Sequence, residues 1–106
     1  ELLCKNKGAV ARGRRTEGGS VVSKASTAVV AERPSAEVQH PLVVALRKKL
    51  LQEGTLVQKG DFFVFTKDTE FASPSAAAAV IHGGGANGLT AWKDASGKSL
   101  KEIEEN

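Results

Sequence analysis

Asp61-Phe62-Phe63-Val64-Phe65-Thr66-Lys67-Asp68-Thr69-Glu70-Phe71-Ala72-Ser73-Pro74-Ser75-Ala76-Ala77-Ala78-Ala79-Val80-Ile81-His82-Gly83 is the stretch whose reading decides the fold class of this 106-residue chain. It begins with a strand. Aromatic and β-branched residues dominate 61–66, and such side chains fit a pleated sheet. Alternation puts Phe63 and Phe65 on one face and Phe62 and Val64 on the other. Both faces are apolar, which predicts a strand covered on both sides. The same stretch then turns helical. Ser73 is placed to cap, and Pro74 fits the first turn because its missing N–H is no loss there. Four alanines have the best helix propensity, and Gly83-Gly84-Gly85 stops the helix, predicted over 74–82. An alanine helix this short does not stand alone in water. Its methyl surface lets it lie close against a sheet.

Working upstream, Pro41 opens a second helix, predicted over 41–53. Leu42, Val43, Leu46, Leu50 and Leu51 follow the spacing of a buried stripe. Arg47, Lys48 and Lys49 cluster toward its C-terminal end, where cations suit the helix dipole. Thr55-Leu56-Val57 and the strand at 61–66 are joined by a turn at Gln58-Lys59-Gly60. Residues 1–33 read as short strands at 2–5 and 8–12, then a β-prone run over 20–26. Gly18-Gly19 turns a hairpin within 9–26. Residues 27–37 show no clean period, and Arg33-Pro34 argues against an uninterrupted helix there.

Downstream, Asn87-Gly88 reads as a turn leading into a short strand at 89–92. Ser96-Gly97 is another turn. Ser99 and Glu102 have capping-box spacing and open a brief terminal helix that frays toward Asn106. The predicted fold is α+β: a small, mostly antiparallel sheet of hairpins, two main helices packed on it, and a short C-terminal helix, in one domain over 1–106.

Composition narrows the function classes. Hydrophobic residues are 41% and charged residues 25%, an ordinary globular mix. No apolar run approaches the length of a membrane span. No signal-peptide pattern is present, and a cytoplasmic protein is expected. Position 1 is not Met, which suggests a piece of a longer chain. The net charge of +3 is unevenly divided. Residues 1–60 hold eleven Lys or Arg against five Glu, a net +6, and residues 61–106 hold four Lys against seven acids, a net −3. Such asymmetry points to a polyanion-facing first half.

Catalytic signals are sparse. A single cysteine, Cys4, excludes an internal disulfide and a zinc site built on cysteine pairs. Neither His40 nor His82 is close to Cys4 in sequence, and a small enzyme would need one of them to meet it in space. The two histidines show no metal-ligand spacing, so no metal and no cofactor are expected. Gly83-Gly84-Gly85-Ala86-Asn87-Gly88 follows a helix and lacks the phosphate-loop lysine, so it reads as a connection. The better anion site is the start of the alanine helix, with Ser73, Ser75 and free N–H groups. Arg12, Arg14 and Arg15 form a strand cluster, with Arg12 and Arg14 sharing one face and Lys24 across the hairpin. Trp92 beside Lys93 reads either as a base-stacking residue or as core.

The run from Phe63 to Val80, followed by Asn87-Gly88, Trp92-Lys93-Asp94 and Gly97-Lys98-Ser99-Leu100, resembles a bacterial domain family of unknown function found C-terminal to GIY-YIG nuclease-like and restriction-associated proteins. The pattern of Ser-Pro-Ser and alanines, Asn-Gly and Trp is also similar to the RAMA (restriction enzyme and adenine methylase associated) domain. Upstream, Ala11-Arg12-Gly13, Thr16-Glu17 and Val21-Val22 with Ala25-Ser26 fit the first family. The resemblance covers roughly residues 5–103. It implies an accessory module that recognises DNA, including modified DNA, beside a linked or associated nuclease or methylase. Leu89, Gly83-Gly84-Gly85 and Gly19-Ser20 depart from the family pattern, removing two aromatics and a cation. The chain has no Tyr, hence no GIY-YIG core.

Two readings follow. The first is a non-enzymatic DNA-binding domain in which Arg12, Arg14, Arg15 and Lys24 hold phosphates while Ser73, Ser75, Asn87, Trp92 and Lys93 form the more specific part. The second is a protein-interaction module docking on a catalytic domain or partner subunit, which an apolar patch around Leu89 and Trp92 would favour.

Overall fold

The computed structural model describes residues 1–105; Asn106, where the terminal helix was expected to fray, lies outside them. The chain forms strands β1 (Leu2–Asn6), β2 (Ala9–Thr16), β3 (Gly19–Val22) and β4 (Thr27–Val29), then helices α1 (Ala36–Gln39) and α2 (Pro41–Gln52). Strands β5 (Leu56–Lys59), β6 (Phe62–Phe65) and β7 (Thr69–Phe71) follow. Helices α3 (Pro74–His82) and α4 (Gly88–Ala91), strand β8 (Trp92–Lys93) and helix α5 (Leu100–Glu104) complete it.

The fold is α+β, with every strand pairing antiparallel, but the strands divide into two sheets rather than one. The first has the order β7-β3-β2-β1-β8 and the second β4-β6-β5. The β1–β2 hairpin turns at Lys7 (φ 49°) and Gly8 (φ 89°). Positive φ at both central residues matches the right-handed twist of the strands it joins.

Helix α3 is the hub. It packs on α2, on β1, β2, β3 and β7 of the first sheet, and on β4 of the second. Ala77, Ala78, Ala79, Val80 and Ile81 are all buried. The four alanines let the helix sit close to so many neighbours, and Val80 and Ile81 fill the core around it. Its start is as the sequence predicts: the Ser73 hydroxyl accepts from the Ala76 N–H at 3.0 Å, and Pro74 follows in the first turn. Around it one core gathers Leu2, Cys4, Val22, Phe63, Phe65, Phe71, Trp92 and Leu100. The rings of Phe65 and Phe71 meet edge to face at 6.2 Å.

Several local expectations are corrected. Residues 88–91 form helix α4, not a strand, because the Asn87 side chain accepts from the Leu89 N–H and caps a turn of helix. Only Trp92 and Lys93 remain as strand. Strand β6 has its inner face buried, whereas Phe62 and Val64 on the outer face are only half-buried. Its hairpin with β5 turns at Gly60-Asp61, one residue later than expected. Strands β4 and β7 and the turn of helix α1 carry no readable signal in the sequence.

The largest correction concerns α2. Its buried residues are Val44, Arg47 and Leu50, while Leu42 is 83% exposed. The helix is thus rotated so that Arg47 shares the inward face with Leu50 and the half-buried Leu46, while Leu42 and Leu51 of the expected stripe are exposed. Arg47 donates to the Val29 carbonyl and, at 3.2 Å, to that of Val30. It also lies 5.2 Å from the centre of the Phe63 ring. Glu32 approaches its Nε at 3.9 Å, but among the described residues neither Nε nor Nη1 finds a hydrogen-bond partner. Burial pulls the Arg47 guanidinium below its ordinary value, and the Glu32 carboxylate pulls it back up. Arg47 therefore ties α2 to the end of β4 and the residue after it. Arg47→Met keeps much of the stem volume but leaves two carbonyls unpaired. It is expected to cost about 1–3 kcal/mol in urea unfolding; an unchanged midpoint would mean that relief of the buried charge offsets those bonds.

Candidate nucleic-acid interface

Strand register sets the geometry of the first sheet. Gly13, Ala11 and Ala9 of β2 face the core opposite Leu2, Cys4 and Asn6. Gly13 has no room for a side chain: a Cβ there would lie 2.5 Å from the Val21 carbonyl oxygen and 3.2 Å from the Trp92 ring. The alternate residues Val10, Arg12 and Arg14 are exposed on the other face. Leu3 stands between Lys93 of β8 and Arg12 of β2, making a cross-strand row Lys93–Leu3–Arg12. Lys5 stands opposite Val10, and Arg14 opposite Val21, which in turn pairs with Glu70.

The outer face of this sheet thus carries Lys5, Arg12, Arg14 and Lys93, all exposed, around an aliphatic floor of Leu3 and Val10. Two acids border it: Glu70, and Glu1, whose carboxylate is 3.4 Å from Arg12. Along the β1–β8 edge the face runs into a depression of about 370 Å³ lined by Leu3, Lys5, Thr90, Ala91, Lys93 and Asp94. The Asp94 carboxylate accepts from the Ser96 hydroxyl and from the Ser96 and Lys98 N–H groups. Those bonds hold it below the usual carboxylate range and fix the loop that walls the depression.

Of the residues singled out in the sequence, the fold brings together Arg12, Arg14 and Lys93, so the basic first half meets one cation from the acidic second half. It does not bring the others there. Arg15 points to the opposite side, bonded to Glu104 at 3.0 Å and to the Gly19 carbonyl at 2.6 Å. Lys24 lies past the end of β3, where its N–H donates to Asp68. Lys5 was missed; its signal was the alternation Leu2-Leu3-Cys4-Lys5, readable only once the register with β2 is known.

Ser73, Ser75, Asn87 and Trp92 form a structural knot instead. The Trp92 Nε1–H donates to the Pro74 carbonyl at 3.0 Å, and Trp92 is 2% exposed. The Ser75 hydroxyl accepts from the Gly88 N–H at 2.9 Å. A Cβ on Gly88 would lie 2.3 Å from the Pro74 and Ser75 backbone, so α4 can dock on the start of α3 only through a glycine. The Ser73 and Ser75 hydroxyls and the Asn87 amide oxygen are all committed to internal N–H groups. The Trp92 ring has no open face for a base, so its sequence-based assignment to a base contact is replaced by a core role.

The structure also brings His82 to Cys4. The Cys4 sulfur lies 3.4 Å from His82 Nε2, and Arg33 Nη2 lies 3.3 Å from His82 Nδ1. A guanidinium only donates, so Nδ1 must be the acceptor and Nε2 carries the proton. The lone pair that would deprotonate the thiol is therefore occupied by Arg33. Burial pushes the Cys4 thiol up to about 12. This is poor nucleophile chemistry. Among the described residues, no cluster of three or more His, Cys, Asp or Glu is arranged to hold a metal. Among them too, no helix is long and apolar enough to cross a membrane.

His82 is expected to make the fold acid-sensitive. Burial, and secondly the Arg33 charge, lower its pKa from the ordinary 6.5. The unfolded chain then binds the proton more readily than the folded one, so stability rises with pH across that window. Stability should be full above pH 6.5 and fall as pH drops below it. Urea midpoints at pH 7.5 and 5.0 measure this, and His82→Gln should flatten the difference; an equal slope in both proteins would contradict it.

The model of a family described as a domain of unknown function, DUF4357, matches residues 2–104. No curated protein and no solved structure matches the chain.

Proposed function

The chain belongs to the DUF4357 family, and from that premise we propose that it is a non-catalytic DNA-binding accessory domain. The observation that carries the reading is the cross-strand row Lys93–Leu3–Arg12 with Lys5 and Arg14 on the open sheet face. Four cations on rigid strands, projecting from one surface, suit phosphate oxygens, and strands hold such groups in fixed register. Association with a linked or partner nuclease or methylase, in the cytoplasm of a bacterium, is part of the same proposal. The chain would contribute affinity and position, and the partner the chemistry.

A mobility shift at low salt with plain and adenine-methylated duplexes tests the reading. Retardation of at least one, lost as salt is raised, is expected. No shift of either at low salt overturns it.

One observation favours the second reading, a protein-docking module. Val38 and Leu42, four residues apart on either side of the α1–α2 junction, are 86% and 83% exposed. The patch foreseen around Leu89 and Trp92 does not form, since Trp92 is buried. V38D/L42D should leave DNA binding intact under the first reading and abolish partner capture under the second.

A further inference from the structure

Resting on the reading that the open sheet face meets nucleic acid, we infer that its ligand is the backbone of an intact duplex, held without base reading, and not a single strand. Sequence-tolerant single-strand binders stack bases on exposed aromatic rings. This chain has five aromatics, and none is on the face. Phe63, Phe65, Phe71 and Trp92 are buried in the core, and the half-buried Phe62 belongs to the other sheet. The floor between the cations is Leu3 and Val10, short aliphatic groups with no hydrogen-bonding capacity to distinguish one base edge from another.

The placement of the cations suits two rows of phosphate. Lys93 and Arg12 are separated by the width of β1, about 10 Å between their strands at the usual spacing. Arg12 and Arg14 are two residues apart on β2, about 7 Å along the strand. A duplex presents phosphates on both walls of a groove about 6 Å or about 12 Å wide. A single strand presents one row. Lys93 on β8 and Arg12 and Arg14 on β2 stand far enough apart to reach opposite walls, with Lys5 on β1 between them. A sheet laid across a groove on these cations touches its rims and leaves the base edges below unread.

Four contacts limit the salt dependence. The slope of log K against log salt should be about −3 to −4 on duplex, near −0.9 per phosphate. Fluorescence anisotropy of the 106-residue chain with a duplex of roughly 20 base pairs, and with oligothymidine of the same length, reads this directly. Duplex binding about tenfold or more tighter than single strand is expected, with less than about threefold change when the duplex sequence is scrambled. Lys5→Ala should reduce the slope by about one, and Lys24→Ala, off the face, should leave it unchanged. Oligothymidine binding as tightly as duplex, or a scrambling effect of roughly tenfold or more, overturns the inference while leaving DNA binding itself in place. No binding to either probe at low salt overturns the parent reading instead.

Discussion

Replacing Arg12 and Arg14 together by alanine is expected to weaken duplex binding roughly 50- to 100-fold at about 0.1 M salt, because each lost phosphate contact removes close to a factor of ten there. Charge reversal, R12E/R14E, should remove measurable binding. The loss has a signature beyond its size: the alanine variant's salt slope should be shallower by about two, and the two proteins should converge as salt approaches about 1 M. Both side chains are exposed, and among the described residues Arg12 has only the long contact with Glu1 to lose. The thermal midpoint should therefore hold. Arg15→Ala is the informative neighbour. It removes a cation one residue from Arg14 but on the other side of the sheet, tied to Glu104 and Gly19. Its effect on DNA affinity should be small. Equal losses from Arg14→Ala and Arg15→Ala would show that net charge, not the face, attracts the ligand.

Trp92→Ala is expected to have the largest effect on stability, about 3–5 kcal/mol in denaturant unfolding. The ring is 2% exposed, lies against Gly13, and donates to the Pro74 carbonyl. Loss of the ring opens a cavity at the junction of β2, β8 and the start of α3, and removes the hydrogen bond to the Pro74 carbonyl. Against a domain stability of about 5–15 kcal/mol, much of the protein would be unfolded on warming. Trp92→Phe separates the two components. It keeps most of the ring volume and should cost about 1–2 kcal/mol for the lost hydrogen bond. Its DNA affinity at a temperature where it is folded should equal that of the parent. A large loss of DNA binding by a stably folded Trp92→Phe would return Trp92 to the ligand.

The same residues show what could be read from sequence and what could not. Helix α3 was legible because its signals are local: a capping serine, a proline in the first turn, four alanines and a glycine stop act within one segment. Asn87-Gly88 was misread because one chemistry serves two structures. An asparagine can turn a hairpin or cap a helix, and here its side chain accepts from the Leu89 N–H, two residues on. The rotation of α2 is hidden because Arg47 stands in a run of cations whose local signal is only the helix dipole. Its burial depends on two carbonyls and an aromatic ring some 16–18 positions away in either direction along the chain.

The candidate face divides in the same way. Arg12 and Arg14 were legible as neighbours, since period-two alternation belongs to one strand. Lys5 and Lys93 joined them only through pairing of β1 with β2 and of β1 with β8, which no local pattern encodes. The most distinctive motif of the chain, Ser-Pro-Ser with Asn-Gly and Trp, proved to be the lock between α3, α4 and β8. A motif tied to internal N–H groups and carbonyls specifies packing, so its residues carry structure and the plainer basic alternation carries the candidate surface.

The central claim is that the open sheet face is where DNA meets this domain. An amide chemical-shift titration of the chain with duplex DNA tests it most directly, because it reports binding and location together. The account predicts salt-sensitive shifts concentrated at Leu3, Lys5, Val10, Arg12, Arg14 and Lys93, with Ser73, Ser75, Asn87 and Arg15 little changed. Shifts centred instead on the start of α3 or on the Val38–Leu42 junction, or no shifts at low salt, would contradict it.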